Sequence, residues 1–351
     1  MIETVSQIGE FGLIDRIHEL IQREGVEARG EDSLGMGDDC AVLAARPGYD
    51  VLVTCDCVVE GRHYLPQYTS PFDLGRRAMA LNISDIGAMG GRPLYAVISL
   101  GLTPDTRIAD VEAMYSGFVS ELNPFGAAIM GGNITQSGDG LFTDITLIGE
   151  IQKGCAVRRS TARAGDVVLV TGYPGESGAG LALLLKQGRS ADLTDHPLVK
   201  AYTRPSHRAR EGYAAADSGL ATAMIDISDG LLGDLGHICT ESGLGAHLFE
   251  AKLPLREPLQ AFAQERRMRP YEAVLQESDD YELIITVPPQ EARRFCSVIA
   301  EISGVPVHEI GTMTPKAGEL TLSLVDGTRK DMGTAGWDHL KQLKAGARIE
   351  A

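Results

Sequence analysis

The N-terminal part of the chain shows apolar residues at two alternating spacings, one typical of helices and one typical of strands. The segment FGLIDRIHELIQREG places Phe11, Ile14, Ile17 and Ile21 on one helical face, and Gly25 is expected to end this helix. The apolar run DVLVTCD predicts a buried strand, and PFDLGRRAMALNISDIGAMGG predicts a helix that ends at paired glycines. A strand at PLYAVISLGL, a helix at TRIADVEAMYSGFVSEL and strands at GAAIMGGN and TDITLIGEI complete this part.

The pattern restarts near residue 152. GDVVLVTG predicts a strand, GESGAGLALLLKQG a helix after a glycine-rich turn, and ATAMIDISDG followed by LLGDLGHICTESG a second strand and helix. YELIITVP, a helix from Gln290 and strands near 305–311 and 319–325 close the chain. We therefore predict an α/β (α+β) fold of two mixed-sheet α/β domains, covering residues 1–152 and 153–351.

Composition limits the class of partner. The 351 residues carry a formal charge of −16, which argues against binding to nucleic acid or to an anionic membrane. A polyanion such as a nucleotide can still bind if cations bind first. No apolar run approaches the length of a membrane span, and the N-terminus lacks the pattern of a secretory signal. We expect a cytoplasmic protein.

The six cysteines are scattered and form no C-x-x-C pair and no set of zinc ligands. Reduced thiols are the simple interpretation. We expect Cys55 and Cys57, on one predicted strand, to point to opposite faces and not to bridge each other.

Several acidic residues share one context, the end of a strand or a turn beside small residues. They are Asp38, Asp39, Asp56, Asp85, Asp226, Asp229, Asp279 and Asp280. Taken singly, each can be a turn residue or a helix N-cap, roles that Asp fills well. Asp56 and Asp85 fit this less well, since both lie among apolar and small residues and buried carboxylates need a partner or a metal. Carboxylate oxygens suit Mg²⁺, which would turn acidic pockets into phosphate receptors.

The usual nucleotide and protease motifs are absent. No G-x-x-x-x-G-K-[ST], G-x-G-x-x-G after a strand, H-E-x-x-H or G-x-S-x-G occurs. VTGYPGESGAG runs from a strand through glycines into a helix, so its amides could meet an anion, but a tight turn with close packing explains it equally. His63, just past the Asp56 strand, is a candidate that can equally be structural.

The order of several motifs resembles the thiamine-monophosphate kinase family of the aminoimidazole ribonucleotide synthetase-like ATP-binding superfamily. The motifs are GMGDDCAVL, VTCDCVVEGRHY, ALNISDIGAMGGRPLYAVISLGL, IMGGNIT, RRSTARAGDVVLVTG, MIDISDGLLGDLGHI and SDDYELIITVP, and the resemblance runs from about residue 8 to the terminal GWDHL. It implies an N-terminal domain for ATP, Mg²⁺ and dimerisation, a C-terminal domain of the superfamily type, and a homodimer formed through N-terminal strands. It also implies ATP in the cleft, with its phosphates held by several Mg²⁺ ions.

The resemblance also implies roles for single positions. Metal ligands would be Asp39, Thr54, Cys55, Asp56, Asp85, Asn133, Asp226 and Asp229. ATP contacts would be Asp39, Thr54, Tyr115, Gly132, Arg159 and Ser228, and contacts to thiamine monophosphate would be His63, Asp279 and Trp337. The implied reaction transfers the γ-phosphoryl of ATP to thiamine monophosphate by metal-assisted, in-line transfer, without a residue as nucleophile or strong base.

Four positions depart from the family pattern and leave alternatives open, one of them His207 at a frequent proline. Asn133 stands where Asp is usual, Cys55 where Thr is usual, and Asp279 where Glu is common. A thiol suits a hard cation less well than a hydroxyl oxygen. One alternative is a superfamily relative that phosphorylates or activates another small molecule with ATP. The other is a protein that binds Mg·ATP without catalysis.

Overall fold

The computed structural model describes residues 3–26, 40–41, 43, 46–188, 193 and 195–333. The chain divides into two units, the first made of Met1–Ile86 and Gly91–Gly154, the second of Gly87–Gly90 and Cys155–Ala351. Among the described residues, no helix combines the length and the apolar character needed to cross a membrane. Asp39 and Trp337, both predicted site residues, lie outside the described residues.

A four-stranded mixed sheet forms the first unit. Its described helices are α1 (Val5–Glu24), α2 (Pro71–Ala88) and α3 (Ile108–Leu122), and its strands are β1 (Tyr49–Val59), β2 (Arg92–Leu102), β3 (Ala128–Gln136) and β4 (Phe142–Gln152). The strand order is β1-β4-β2-β3, in which β2 and β3 are parallel and the other pairs antiparallel. These elements match the segments that the apolar pattern predicts for this part.

Helix α1 ends as predicted at Gly25, but its buried face differs from the prediction. Leu13, Ile17, Leu20 and Ile21 are buried, whereas Phe11 is 79% exposed. The buried residues keep the helical spacing, and the face is rotated toward Leu13 and Leu20. Phe11 therefore lies outside the buried part of the predicted apolar face.

Strand β1 has one covered and one exposed face. Thr54 and Asp56 are half-buried and Val58 is buried, while Val51, Val53, Cys55 and Cys57 are exposed. The expectation that Cys55 and Cys57 point to opposite faces is wrong, because side chains two residues apart on a strand share a face. Both thiols are free.

A seven-stranded mixed sheet forms the second unit. Its strands are β5 (Val167–Thr171), β6 (Ala223–Asp226), β7 (Gly245–Phe249), β8 (Leu283–Val287), β9 (Val307–Thr314), β10 (Leu320–Ser323) and β11 (Arg329–Asp331), in the order β11-β10-β7-β9-β5-β8-β6. Only β10 and β7 pair in parallel among these strands. The described helices are α4 (Glu176–Gln187), α5 (Pro197–Thr203), α6 (Ala209–Ser218), α7 (Leu231–Ser242), α8 (Glu257–Glu265), α9 (Pro270–Val274) and α10 (Ala292–Ser303).

The centre of this sheet explains its uninterrupted apolar runs. Every residue of β5, β6 and β8 is buried, so these strands cannot alternate between apolar and polar positions. Phe295 and Ile299 of α10 pack against Leu169 and Ile285 in one core cluster. The predicted α/β fold with two mixed sheets is confirmed. The sequence analysis did not predict six shorter elements, namely β7, β11, α5, α6, α8 and α9.

Candidate active site

One group of oxygen atoms forms where β1 of the first unit meets α2. The Thr54 hydroxyl donates to Oδ2 of Asp85 at 2.5 Å, across 31 residues of sequence. The backbone N–H of Asp56 donates to Oδ1 of Asn82 at 3.1 Å, and Asn82 is fully buried. Asn82 and Asp85 are three residues apart on α2 and share a helix face. The structure therefore brings Thr54, Asp56 and Asp85 together, as a metal group requires.

The electrostatics of this group show an excess of negative charge. The pKa of Asp56 is raised to about 6, mainly because its carboxyl is buried. The charge of Asp85, the hydrogen bond between Asp85 and Asp56, and the charge of Asp144 contribute in that order. A carboxylate that resists ionisation in this way gains free energy from a nearby cation. A divalent cation would therefore favour the ionised form of Asp56.

Cys55 and Asn133 do not join this group. The register pairs Cys57 with Asp144, Asp144 with Ser99 and Ser99 with Asn133, so these four side chains form a polar row on one face. Cys55 lies on the same exposed face, where its thiol donates to Oδ1 of Asp144 at 3.1 Å. Thr54 and Asp56 occupy the opposite, covered face of β1.

A second group of carboxylates lies at the end of β6 in the second unit. Asp226 is the last residue of this strand and is 2% exposed, and Asp229 follows in the turn that leads into α7. The turn is held by Asp234, whose Oδ2 accepts the backbone N–H of Ser228 at 3.0 Å and of Asp229 at 3.1 Å. Gly230 has a φ of 99°, and a Cβ there would come within 3.0 Å of the Gln276 carbonyl oxygen. The turn therefore requires a glycine at that position.

The carboxyl of Asp234 resists ionisation. Its pKa is raised to about 8, mainly by burial and then by the charges of Asp226 and Asp229, although the two backbone N–H groups act to lower it. Ligand atoms of Asp229, Asp234 and the exposed His237 lie within 4.8 Å of one another. Three carboxylates therefore share one turn.

The chemistry of these donors fits Mg²⁺. In the first group the possible metal ligands are a hydroxyl oxygen, the oxygens of two carboxylates and an amide oxygen. In the second group they are carboxylate oxygens and one imidazole nitrogen. Hard oxygen ligands of this kind are those that Mg²⁺ takes in proteins.

The backbone N–H groups of the glycine-rich turn before α4 are hydrogen-bonded to a carboxylate of the protein itself. Its backbone N–H groups at Gly175 and Ser177 donate to the carboxylate of Asp280, at 2.6 and 2.9 Å. Of the two interpretations of this turn, the structure favours close packing over an anion site. Asp279, beside Asp280, accepts a hydrogen bond from the Ser177 hydroxyl at 2.6 Å.

The remaining predicted residues are spread over both units. Tyr115 lies in α3, 4% exposed and in edge contact with Phe118, and burial raises the pKa of its hydroxyl. His63, in the turn after β1, accepts the Val59 backbone N–H at Nδ1, at 3.0 Å. Gly132 lies on β3, exposed, and Arg159 begins an exposed 3-10 turn.

The similarity to known proteins covers both units. Family models for the N-terminal and C-terminal domains of AIR synthase related proteins match residues 37–151 and 163–322. Thiamine-monophosphate kinase of Escherichia coli (strain K12) is 36% identical over 335 residues, which are 94% of this chain and 98% of that protein. The chain belongs to the thiamine-monophosphate kinase family.

Solved structures of thiamine-monophosphate kinases share the fold of this family member. The enzyme from Stenotrophomonas maltophilia K279a matches with a TM-score of 0.77 at 31% identity, covering 91% of this chain and 97% of the other. AaThiL complexed with AMPPCP and TMP matches with a TM-score of 0.73 at 31% identity, covering 95% and 97%.

The structure identifies three further residues, of which Asn82 and Asp234 belong to the two groups and Asp144 lies beside Cys55 on the other face of the first sheet. Asn82 lies three residues before Asp85, so the helical spacing of the same motif could have found it. Asp234 lies in the first turn of α7, where a carboxylate can accept backbone N–H groups, and this signal was visible. Asp144 comes beside Cys55 only through the pairing of β1 with β4, which no local signal reveals.

Proposed function

We propose that this protein transfers the γ-phosphoryl group of ATP to thiamine monophosphate, giving thiamine diphosphate and ADP. The observation that carries the proposal is the 36% identity with the Escherichia coli kinase across 94% of the chain. AaThiL, which was complexed with AMPPCP and TMP, supports the choice of both substrates.

The two oxygen groups have assigned roles in this proposal. Thr54, Asp56 and Asp85 would hold Mg²⁺ in the first unit, and Asp226 and Asp229 would hold it in the second. Bound there, Mg²⁺ supplies positive charge that offsets the charge of the phosphate groups. The family resemblance also assigns Cys55 and Asn133 to the metal. Their side chains lie on the opposite face of the sheet from Asp56, so they are not part of the group that Thr54, Asp56 and Asp85 form.

The acceptor chemistry explains why no strong base is assigned. A phosphomonoester has a second pKa of about 6, so the acceptor phosphate is largely dianionic at neutral pH. The obstacle is electrostatic, because two unit charges at roughly 4 Å repel by about 4 kcal/mol at an effective dielectric constant of about 20. Positioning and charge neutralisation therefore carry the rate enhancement.

The substrate contacts follow the family positions. His63, Asp279 and Trp337 would contact thiamine monophosphate. Asp39, Thr54, Tyr115, Gly132, Arg159 and Ser228 would contact ATP. Ser228 is exposed in the turn that Asp234 holds, which leaves its hydroxyl available. A cytoplasmic location stays a prediction from the sequence.

A homodimer through the exposed face of β1 belongs to the same proposal. Val51 and Val53 are 60% and 64% exposed on that face, and the register places Ile148 of β4 beside Val53. Apolar strand faces of this kind are typical of subunit interfaces. Size-exclusion chromatography with light scattering should report a dimer for the wild type and a monomer for Val53→Glu. Val325→Glu, at a valine of the second unit that is 75% exposed, is the matched control and should stay dimeric.

The activity is tested by end-point chromatography of the purified protein with Mg²⁺, ATP and thiamine monophosphate. Thiamine and other phosphorylated small molecules are supplied as acceptors in parallel. Thiamine diphosphate and ADP should appear together only with thiamine monophosphate. Product formation with another acceptor alone, or Mg·ATP binding without any transfer, would contradict the proposal.

A further inference from the structure

The segment 276–280, which precedes β8, is hydrogen-bonded to the N-terminus of α4 and packs closely against it. Beside the two bonds from Gly175 and Ser177 to Asp280, the Gly178 N–H donates to Oγ of Ser278 at 2.8 Å. The Gln276 amide donates to the Gly175 carbonyl oxygen at 2.7 Å. A Cβ at Gly178 would come within 2.6 Å of the Glu277 carbonyl oxygen. The segment and the helix end therefore fit together without spare room.

Ser177, at the N-terminus of α4, is hydrogen-bonded to the carboxylates of both Asp279 and Asp280. It is fully buried, its backbone N–H donates to Oδ1 of Asp280, and its hydroxyl donates to Oδ1 of Asp279 at 2.6 Å. Hydrogen bonds from a hydroxyl to a carboxylate at such distances are among the strong ones in proteins. The side chain of Asp279 is only partly buried, and one of its carboxylate oxygens is held in place by the buried Ser177 hydroxyl.

The backbone on the other side of Asp279 is fixed as well. Tyr281 is 5% exposed and adopts a left-handed conformation with a φ of 54°, which is unusual for a residue with a side chain. Its N–H donates to the Ile227 carbonyl oxygen at 2.8 Å, and the Ile227 N–H donates to the Glu282 carbonyl oxygen at 2.8 Å. The turn that carries Asp279 is thus paired with the turn that carries Asp226 and Asp229. Strained conformations held in this way are frequent at binding sites.

We propose that Ser177 is a positioning residue for the acceptor, holding the Asp279 carboxylate ready for an N–H or cationic part of thiamine monophosphate. The inference rests on the proposed function and deepens it. A carboxylate that is held in place loses less side-chain freedom on binding, so the complex forms with higher affinity. Because Ser177 acts on the acceptor contact, its loss affects acceptor binding and leaves ATP binding unchanged.

The test compares two serine variants from the same contact region. Ser177→Ala removes the hydroxyl that touches Asp279, whereas Ser278→Ala removes one that accepts from Gly178. For Ser177→Ala we expect a KM for thiamine monophosphate about tenfold higher, the size of one lost charge-assisted hydrogen bond, with kcat and the KM for ATP nearly unchanged. Ser177→Cys, with a weaker donor of similar shape, should give an intermediate KM. An equal rise in Ser278→Ala would overturn the inference, because loosening of the turn alone would then explain it.

A double-mutant cycle shows whether Ser177 acts through Asp279. Calorimetry of thiamine monophosphate binding without ATP is measured for the wild type, Ser177→Ala, Asp279→Ala and the double variant. Adding Ser177→Ala to Asp279→Ala should have no further effect on affinity. Additive losses would contradict the inference. If the wild type neither binds nor phosphorylates thiamine monophosphate, the proposed function fails, whereas a normal wild type with an unaffected Ser177→Ala removes this inference alone.

Discussion

The two groups of acidic residues, one in each unit, are assembled in different ways. In the first unit, Thr54 of β1 and Asp85 of α2 meet across 31 residues, and Asn82 fixes the backbone at Asp56. In the second unit, Asp226, Asp229 and Asp234 lie within one strand end, one turn and the first turn of one helix. The first group therefore depends on how a helix packs on a sheet, and the second on a local turn held by backbone N–H groups.

The difference shows where each group is vulnerable. In the first group the contacts join side chains of two elements, so a change in a ligand alters charge and leaves the backbone in place. In the second group Asp234 accepts two backbone N–H groups, so it supports both the charge and the shape of the turn. The same residue type thus has a chemical role in one group and an additional structural role in the other.

The largest effect is expected from removal of charge at the proposed ligands. Asp56→Asn, Asp85→Asn and Asp229→Asn should each lower kcat by on the order of a hundredfold or more, because in the proposed mechanism Mg²⁺ held by these carboxylates offsets the charge of the phosphate groups. Unfolding temperatures should stay close to that of the wild type. Asp144→Asn, a carboxylate on the other face of the same sheet, is the control and should retain most activity. Normal turnover in all three ligand variants would defeat the metal proposal.

A smaller effect, on stability, should separate the two groups. Asp234→Ala leaves the N–H groups of Ser228 and Asp229 without their acceptor and should cost about 2 kcal/mol of unfolding free energy at about pH 4, where the Asp234 carboxyl is protonated in the folded protein. For a unit of this size the melting temperature should fall by about 4 to 8 °C in calorimetry. Asp217→Ala, at an exposed position on α6, should change it little. A fall in Asp234→Ala no larger than in this control would show that the turn holds without Asp234.

Without metal, the pH dependence of stability should also differ. Burial raises the pKa of Asp56 to about 6 and that of Asp234 to about 8, so the folded protein keeps protons that the unfolded chain releases near its ordinary pKa of about 4. The stabilisation is complete below about pH 4 and is lost as the pH rises through each folded-state pKa. Melting temperatures in a chelator should show that Asp234→Asn flattens the decline between about pH 6 and 8. Asp56→Asn should flatten it only below about pH 6, and equal pH profiles for both variants would refute the distinction.

The smallest effects are expected at Cys55 and Asn133, two of the positions where the chain departs from its family pattern. Cys55→Thr and Asn133→Asp restore the residues that are common in the family. Both side chains lie on the face of the first sheet that carries Asp144, opposite Asp56. We expect Mg²⁺ affinity and kcat to change by less than about threefold, because neither side chain lies on the face of the sheet that carries Thr54 and Asp56. A tenfold gain in Mg²⁺ affinity measured by calorimetry for Asn133→Asp would place this residue among the ligands.

The predictability of the two groups follows from the same difference. Asp226 and Asp229 could be found from the sequence because a strand, a glycine and a helix follow each other in one short motif. Asp56 and Asp85 could be singled out because carboxylates stood among apolar residues, but their contact required the packing of α2 on β1. Cys55 was grouped with Asp56 only through family resemblance, and strand alternation separates their side chains. Phe11 was placed on the apolar face of α1 by its spacing, although its side chain is 79% exposed.

The sequence by itself determined the mixed α/β elements, the buried central strands and the family, because apolar periodicity and ordered motifs are local properties of a chain. Only the tertiary structure decided which face of β1 carries the carboxylates, which partners fix them, and that the glycine-rich turn holds Asp280 rather than an open anion site. These outcomes depend on strand register and on contacts between segments about a hundred residues apart, such as Ser177 and Asp279. Contacts of that range are set by the packing of the whole unit, which no local pattern encodes.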